Sequence, residues 1–167
     1  STVQDFVGFA EIKQKNFDLF NFPTFTGGGQ NLKLRGEVGT VRKDYELSFT
    51  EPWIFDRPVS FGFDLYKKTI SEIESFGDGY DEKRQGGVLR LGKALGEYTK
   101  GNLSYRLEEI DISNIPEDAT ADFKSEEGSN TIKSVALLLS KDTRDNIFNP
   151  TTGWVRTGSV EVAGGPF

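Results

Sequence analysis

Alternation of apolar and polar residues dominates the chain and predicts β-strands. The clearest run sets Leu32, Leu34, Gly36 and Val38 against Asn31, Lys33, Arg35 and Glu37. A period of two is typical of a strand whose faces meet different environments. The same pattern predicts strands at residues 44–49, 59–65 and 102–108. Less regular runs at roughly 3–14, 84–94, 130–140 and 154–164 complete about eight strands, and no helix of any length is predicted.

The lengths of these runs and of their connections favour a membrane barrel. Runs of about 9 to 12 residues suit a tilted strand that crosses ~25–30 Å of hydrocarbon, whereas strands of soluble proteins average about 5 to 6 residues. Long acidic connections at 71–83 and 113–129 contrast with compact or aromatic ones at 17–29, 52–58, 96–101 and 142–153. The short 39–43 connection is an exception on the long-loop side. We therefore expect an all-β, antiparallel up-and-down transmembrane β-barrel domain over residues 1–167.

Composition is compatible with this fold. The chain has 167 residues, of which 35% are hydrophobic and 14 are Phe. No window approaches 18 consecutive apolar residues, so a spanning helix is excluded. Barrel strands place polar side chains at every second position, which gives a soluble-looking average hydropathy.

The residue types that are missing exclude many functions. There is no Cys and no His, which removes thiol chemistry and the commonest general base and metal ligand. A net charge of −6 argues against a nucleic-acid partner. We therefore expect no enzyme activity, no cofactor and no metal site.

Aromatic residues cluster at the run ends that share one predicted rim. Such rings gather where lipid meets water, so we predict a membrane-interface girdle and outer-membrane lipid as a partner. The alternative is a set of end caps on a soluble core. The girdle residues are Phe17, Phe20, Phe22, Phe25, Trp53, Phe55, Phe148 and Trp154.

The segment D-T-R-D-N-I-F-N-P-T-T-G, residues 142–153, is predicted to be a structural turn. Asp142 and Asp145 flank Arg144, and Asn149, Pro150 and Gly153 favour turn conformations. We expect an ion-paired, self-hydrogen-bonded turn. Calcium binding is the alternative, but the spacing of the two acids is not that of a metal loop.

Charged residues on the polar side of the strands are predicted to pair across strands in a wet interior. Use of two of the acids for glycoside hydrolysis has no support in the sequence. The charged residues are Lys33, Arg35, Glu37, Glu46, Arg90, Arg106 and Glu108.

Three motifs in order carry a family resemblance. They are G-G-G-Q-N-L-K-L-R-G at 27–36, S-F-T-E-P-W-I-F-D at 48–56 and S-K-D-T-R-D-N-I-F-N-P-T-T-G at 140–153. Together they resemble the barrel of the BamA-like outer-membrane insertases of the bacterial surface-antigen family. The resemblance implies a sixteen-stranded barrel preceded by periplasmic POTRA domains, of which this chain would supply strands two to nine. No gate or lumenal-motif residue of the family has a counterpart here.

The function implied by the resemblance is the folding and insertion of other barrel proteins into the bacterial outer membrane. The implied partners are unfolded β-barrel clients and periplasmic lipoprotein subunits. Alternatives are a TamA-like or two-partner-secretion transporter barrel, a passive porin-type channel and a soluble β-sandwich binding module. Half of a sixteen-stranded barrel should form an open sheet with unpaired edges.

Overall fold

The structure, a computed structural model, describes residues 7–71, 80–116 and 119–164 as a single β-sheet. Its strands are joined in chain order, and every neighbouring pair is antiparallel. They are β1 (Val7–Phe17), β2 (Gln30–Gly39), β3 (Arg42–Glu51), β4 (Val59–Ile70), β5 (Asp81–Ala94), β6 (Thr99–Ser113), β7 (Gly128–Asp142) and β8 (Val155–Ala163). The predicted eight-stranded, up-and-down antiparallel fold is confirmed.

The largest shifts from the predicted boundaries are at the ends of β4, which is Ile70 instead of residue 65, and of β6, which is Ser113 instead of residue 108. β1 also continues to Phe17 instead of stopping at residue 14. An irregularity between Gln14 and Phe17 carries the pairing on to Gln30. Such a local break interrupts the alternation on which the prediction depends. Residues 3–6 of the predicted first strand, and 72–79 and 117–118 of the predicted long connections, lie outside the described residues.

The prediction that no helix of any length forms is wrong for two short segments. A helical turn, α1, spans Ala121–Lys124, and a 3₁₀ turn spans Ile54–Asp56. A segment of three or four residues is too short for a period of 3.6 to be visible in sequence. No helix in the described part of the chain is long and apolar enough to cross a membrane.

The sheet has two chemically distinct faces, which the register defines. Leu34, Leu47, Leu65, Gly87 and Leu107 form one row across β2 to β6. We call the face that carries this row the apolar face. The adjacent row is Arg35, Glu46, Tyr66, Gly86 and Glu108, and it defines the polar face.

No apolar core exists within the described residues, because none of their apolar side chains is buried. The side chains that are buried are polar, namely Gln30, Glu108 and Ser134. A soluble β-sandwich would bury apolar residues between two sheets, so that alternative does not fit this single sheet. The sheet is also open, since β1 pairs only with β2 and β8 only with β7.

The up-and-down topology sorts the connections to two ends of the sheet. Residues 18–29, 52–58, 95–98 and 143–154 lie at one end, which we call the aromatic rim. The opposite end, where β2, β4 and β6 end and β3, β5 and β7 begin, is called the loop rim.

Candidate membrane interface and polar network

The apolar face is three to four residues high between polar positions, with four residues on β2 and β4 and three on β5 and β7. On β7, Val135, Leu137 and Leu139 lie between Lys133 and Lys141. On β5, Gly87, Leu89 and Leu91 lie between Gln85 and Lys93.

The height of this band follows from strand geometry. From residue 133 to residue 141, a strand covers roughly 26 Å at about 3.3 Å per residue. A strand tilt of about 40° reduces this to a height of roughly 20 Å. Leu89 and Leu137 are 51% and 46% exposed, so no other part of the described chain covers the band and it is free to meet lipid.

All eight predicted girdle residues lie at the aromatic rim. Several are almost fully exposed, including Phe148 at 97% and Phe20 and Phe55 at 87% each. Within the β1–β2 connection, Phe25 stacks on Phe17 at 5.9 Å and meets Phe22 edge-on at 5.6 Å.

Two of these aromatic residues are held in a strained backbone conformation. Phe25 and Phe55 have φ angles of 49° and 53°, in the left-handed region that is uncommon for residues other than glycine. Such strain is retained where surrounding structure enforces it, often at functional positions. At Phe55 the strained backbone carries a side chain that is 87% exposed.

A polar pair that the sequence did not reveal links two aromatic connections. The buried amide of Gln30 accepts a hydrogen bond from Leu19 N at 3.0 Å and donates one to Glu51 Oε2 at 2.8 Å. The other oxygen of Glu51 accepts from Trp53 N at 3.0 Å. The Phe-rich connection and the Trp53 connection are therefore fixed to each other. The only signal in the sequence is a Gln placed directly after three glycines.

Trp154 has cationic neighbours at the same rim. Arg156 Cζ lies 4.2 Å and Lys141 Nζ 5.6 Å from the centre of its ring. Cations over a tryptophan face are attracted by the ring electrons. This arrangement places one aromatic ring next to two charges, as suits a boundary between lipid and water.

The turn at 142–153 is self-bonded, but its two acids have different partners. Arg144 pairs with Asp142 through Nη2–Oδ2 and Nε–Oδ1 distances of 2.6 and 2.9 Å. Asp145 instead accepts hydrogen bonds from Thr151 N at 2.9 Å, Thr151 Oγ1 at 2.5 Å and Thr152 N at 3.1 Å. These bonds hold the pKa of Asp145 well below its ordinary value, and the hydrogen bond from the Thr151 hydroxyl contributes most to this lowering.

The rest of the turn is organised by an asparagine and a glycine. Asn146 Oδ1 accepts from the N–H groups of Phe148 and Asn149, at 2.8 and 3.2 Å, and Pro150 follows directly. Gly153 has a φ of 93°, and a Cβ there would lie 2.2 Å from Thr143 O. No group of three or more acids in the described residues could hold a metal ion.

The polar face carries a network of cross-strand bonds. Lys33 of β2 lies 3.0 Å from Glu46 of β3, as predicted. Arg90 Nη2 of β5 lies 2.9 Å from Asp64 Oδ1 of β4, and Ser48 of β3 donates to the same oxygen at 2.6 Å.

Cross-strand pairing is wrong for three of the predicted charges, Arg35, Glu37 and Arg106. Arg35 pairs with Glu37 on its own strand at 2.9 Å, and Arg106 has no ion pair with another described residue. Glu108 does pair across strands, since Arg84 lies 3.7 Å away and the Tyr66 hydroxyl donates a hydrogen bond to it.

Glycines on the polar face allow side chains of next-nearest strands to meet. Tyr66 of β4 reaches Glu108 of β6 over Gly86 of β5, because the three residues form one row. In the same way Arg90 reaches Thr50 of β3 over Gly62, with 3.4 Å between Nη2 and Oγ1. A Cβ at Gly62 would lie 3.1 Å from Arg90 Nη2. These bridges tie β3 to β6 together in a way that alternation alone does not predict.

Comparisons with known proteins agree with this architecture. The model of the Omp85 superfamily domain matches residues 24–167. The outer membrane protein assembly factor BamA of Nitratidesulfovibrio vulgaris is 30% identical over 140 residues, which cover 84% of this chain and 17% of that protein.

A solved structure shows the same fold. The crystal structure of BamA from Haemophilus ducreyi lacking POTRA domains 1–3 superimposes with a TM-score of 0.60 at 17% identity, covering 95% of this chain and 34% of that one. The chain thus spans about a sixth of the curated relative and a third of the solved one.

Proposed function

The chain belongs to the Omp85 superfamily, and from that premise we propose that it is part of the barrel of a factor that folds and inserts β-barrel proteins into the outer membrane. It is a protein of the bacterial outer membrane. The curated relative is by name an outer membrane protein assembly factor. In this proposal the unfolded barrel proteins are the clients, and insertion requires neither covalent chemistry nor a cofactor.

The low height of the apolar face on β5 and β7 is the observation that supports this function best. At a strand tilt of about 40°, the band between Lys133 and Lys141 is roughly 20 Å high, whereas the apolar band of outer-membrane barrels is about 25 Å high. A bilayer adapts to a short apolar belt by thinning, at a cost of fractions of a kcal/mol per Å. A thinner bilayer exposes fewer unpaired backbone groups of an incoming strand to hydrocarbon.

We further propose how this segment sits in the whole protein. The free edges of β1 and β8 pair with other strands of a barrel of about sixteen, preceded by POTRA domains. The aromatic rim faces the periplasm, where lipoprotein subunits bind, and its eight aromatic residues form a girdle in contact with lipid. The loop rim faces the cell exterior, because outer-membrane barrels carry their longer loops there.

The test is a client-folding assay with the full-length protein in phospholipid vesicles. The fraction of a small barrel client that resists heat unfolding in SDS gels is followed over time. Client folding should be faster than in protein-free vesicles, and the acceleration should increase with acyl-chain length because thinning then matters more.

Matched variants test the height of the band. Lys133→Leu heightens it on β7 and should reduce the acceleration. Lys100→Leu changes the polar face instead and should leave the acceleration intact. Equal client folding with and without the protein, together with a stable ion-selective conductance, would replace this proposal with the channel alternative.

A further inference from the structure

A broad hollow lies on the apolar face, with a volume of about 1180 Å³. Its walls are apolar side chains of β1 to β6, namely Ile12, Leu34, Leu47, Leu65, Leu89 and Leu107. Gly36 and Gly87 also line the hollow and make it deeper, because they carry no side chain. The volume is of the order of that of small-molecule pockets, about 300–1,000 Å³.

Three lysines surround the end of this hollow that points to the loop rim. Lys67 lines the hollow itself. Lys43 and Lys83 lie on either side of Thr69, in the next row of the same face. All three are exposed, and none makes an ion pair with another described residue.

The nearby acids of this face are Glu109 and Asp111 on β6, and Asp81 at the start of β5, two residues before Lys83, where it accepts a hydrogen bond from Asn114 Nδ2 at 2.6 Å. Glu109 accepts hydrogen bonds from Gln85 at 2.9 Å and Ser129 at 2.8 Å, and Asp111 is the register partner of Lys83. The strip formed by β3, β4 and β5 therefore carries three cations next to an apolar hollow, with one acid, Asp81, at the outer end of β5.

We propose that this hollow is a binding site for a membrane lipid with two phosphate groups. The acyl chains lie against the leucines, and the phosphates contact Lys43, Lys67 and Lys83. Lys43 and Lys83 are two strands apart, roughly 10 Å between their Cα atoms, so the three lysines spread positive charge over a width that two phosphate groups of one lipid headgroup can share. The proposal depends on the outer-membrane location of the chain and not on its insertion activity.

Native mass spectrometry of the full-length protein in detergent, titrated with bisphosphorylated lipid A, tests the site. Lys67→Gln should weaken binding about fivefold, the contribution of one basic residue near a lipid surface. Lys68→Gln is the matched control, because Lys68 lies on the polar face, 5.8 Å from the Tyr66 ring, and should bind as the wild type does.

A second variant tests the hollow without changing charge. Gly36→Leu should fill it, since a Cβ there meets only Tyr45 Cδ1, at 3.8 Å, and lipid A binding should fall. Resistance to heat unfolding in SDS gels reports whether each variant folds. If Gly36→Leu does not fold, the comparison of Lys67→Gln with Lys68→Gln decides alone.

Equal binding by Lys67→Gln and Lys68→Gln would overturn the proposal. So would equal affinity for dephosphorylated lipid A or for phosphatidylglycerol, which carries one phosphate. The client-folding assay is independent of this titration: loss of lipid binding with normal client folding would leave the proposed function intact, and the reverse result would leave the lipid site intact.

Discussion

Gly86→Ala should destabilise the sheet at the bridge between Tyr66 and Glu108. A Cβ at this position would lie 2.5 Å from Leu107 O and 2.9 Å from Glu108 Cα. Both are backbone atoms of the neighbouring strand, so no side-chain rotation relieves the contact. Ordinary contact begins at 3.4 Å, and β5 and β6 must therefore separate locally by several tenths of an ångström or more.

The expected cost follows from two effects and one compensation. Overpacking of this kind costs about 1–3 kcal/mol. Displacement of Glu108 also weakens its bond from the Tyr66 hydroxyl, and hydrogen bonds to charged groups contribute about 1.5–3 kcal/mol. Replacing a strand glycine by alanine returns about 0.5–1 kcal/mol. We expect a net loss of about 2–4 kcal/mol in the free energy of unfolding.

The assay is guanidinium unfolding of the full-length protein in detergent micelles, followed by tryptophan fluorescence. Gly158→Ala is the matched control, because it lies in β8 and a Cβ there meets nothing within 4 Å. It should be neutral or slightly stabilising. Tyr66→Phe should reproduce only the part of the loss that comes from the hydrogen bond. Equal midpoints for Gly86→Ala and Gly158→Ala would refute the argument.

The turn at 142–153 and the aromatic rim give two further predictions. The pKa of Asp145 is lowered in the folded turn. Its carboxylate therefore stabilises the turn at pH values above its ordinary pKa of 3.8, and this stabilisation is lost as falling pH protonates the group. Hydrogen-exchange protection at residues 143–154 should therefore drop between pH 6 and pH 2 in the wild type and change less in Asp145→Asn; equal changes would contradict this. Phe148 is 97% exposed. Phe148→Ala should therefore leave the free energy of unfolding unchanged in small detergent micelles without lipid. In vesicles it should lower the free energy of unfolding by about 1 kcal/mol, which is part of the free energy of fully burying a Phe side chain. An equal effect in both media would argue against a lipid girdle.

Local alternation was sufficient to predict four of the strands, β2, β3, β4 and β6, and their faces; the other four were placed as much by their position between turns. In β2 the apolar and charged residues alternate without interruption, and the structure forms a strand there with the expected two faces. Side-chain direction in a strand depends only on sequence parity, which explains this success. The Omp85 match confirms the family resemblance carried by the three motifs.

Features that depend on register were not predictable from the sequence. Tyr66, Gly86 and Glu108 are widely separated in the chain, and only the pairing of β4, β5 and β6 places them in one row. The same applies to Gln30, whose role depends on Glu51 being within reach. For Arg35 the predicted cross-strand pair does not form. Glu37, two residues away on the same strand, competes with Glu46, the register partner on β3.

The distribution of bonds across the sheet indicates where the wall is stiffest. The two bridges that pass over a glycine, Arg90 to Thr50 and Tyr66 to Glu108, both lie within β3 to β6. In the described part of β7 and β8, the cross-strand side-chain bond is a single hydroxyl pair, Ser140 and Thr157, at 3.3 Å. Side-chain bonds between next-nearest strands resist a change in the curvature of the sheet, whereas backbone hydrogen bonds between neighbouring strands permit such a change. Any opening of the barrel should therefore occur away from β3 to β6, and the proposed lipid site, whose lysines lie on β3, β4 and β5, should keep its geometry while the edges move.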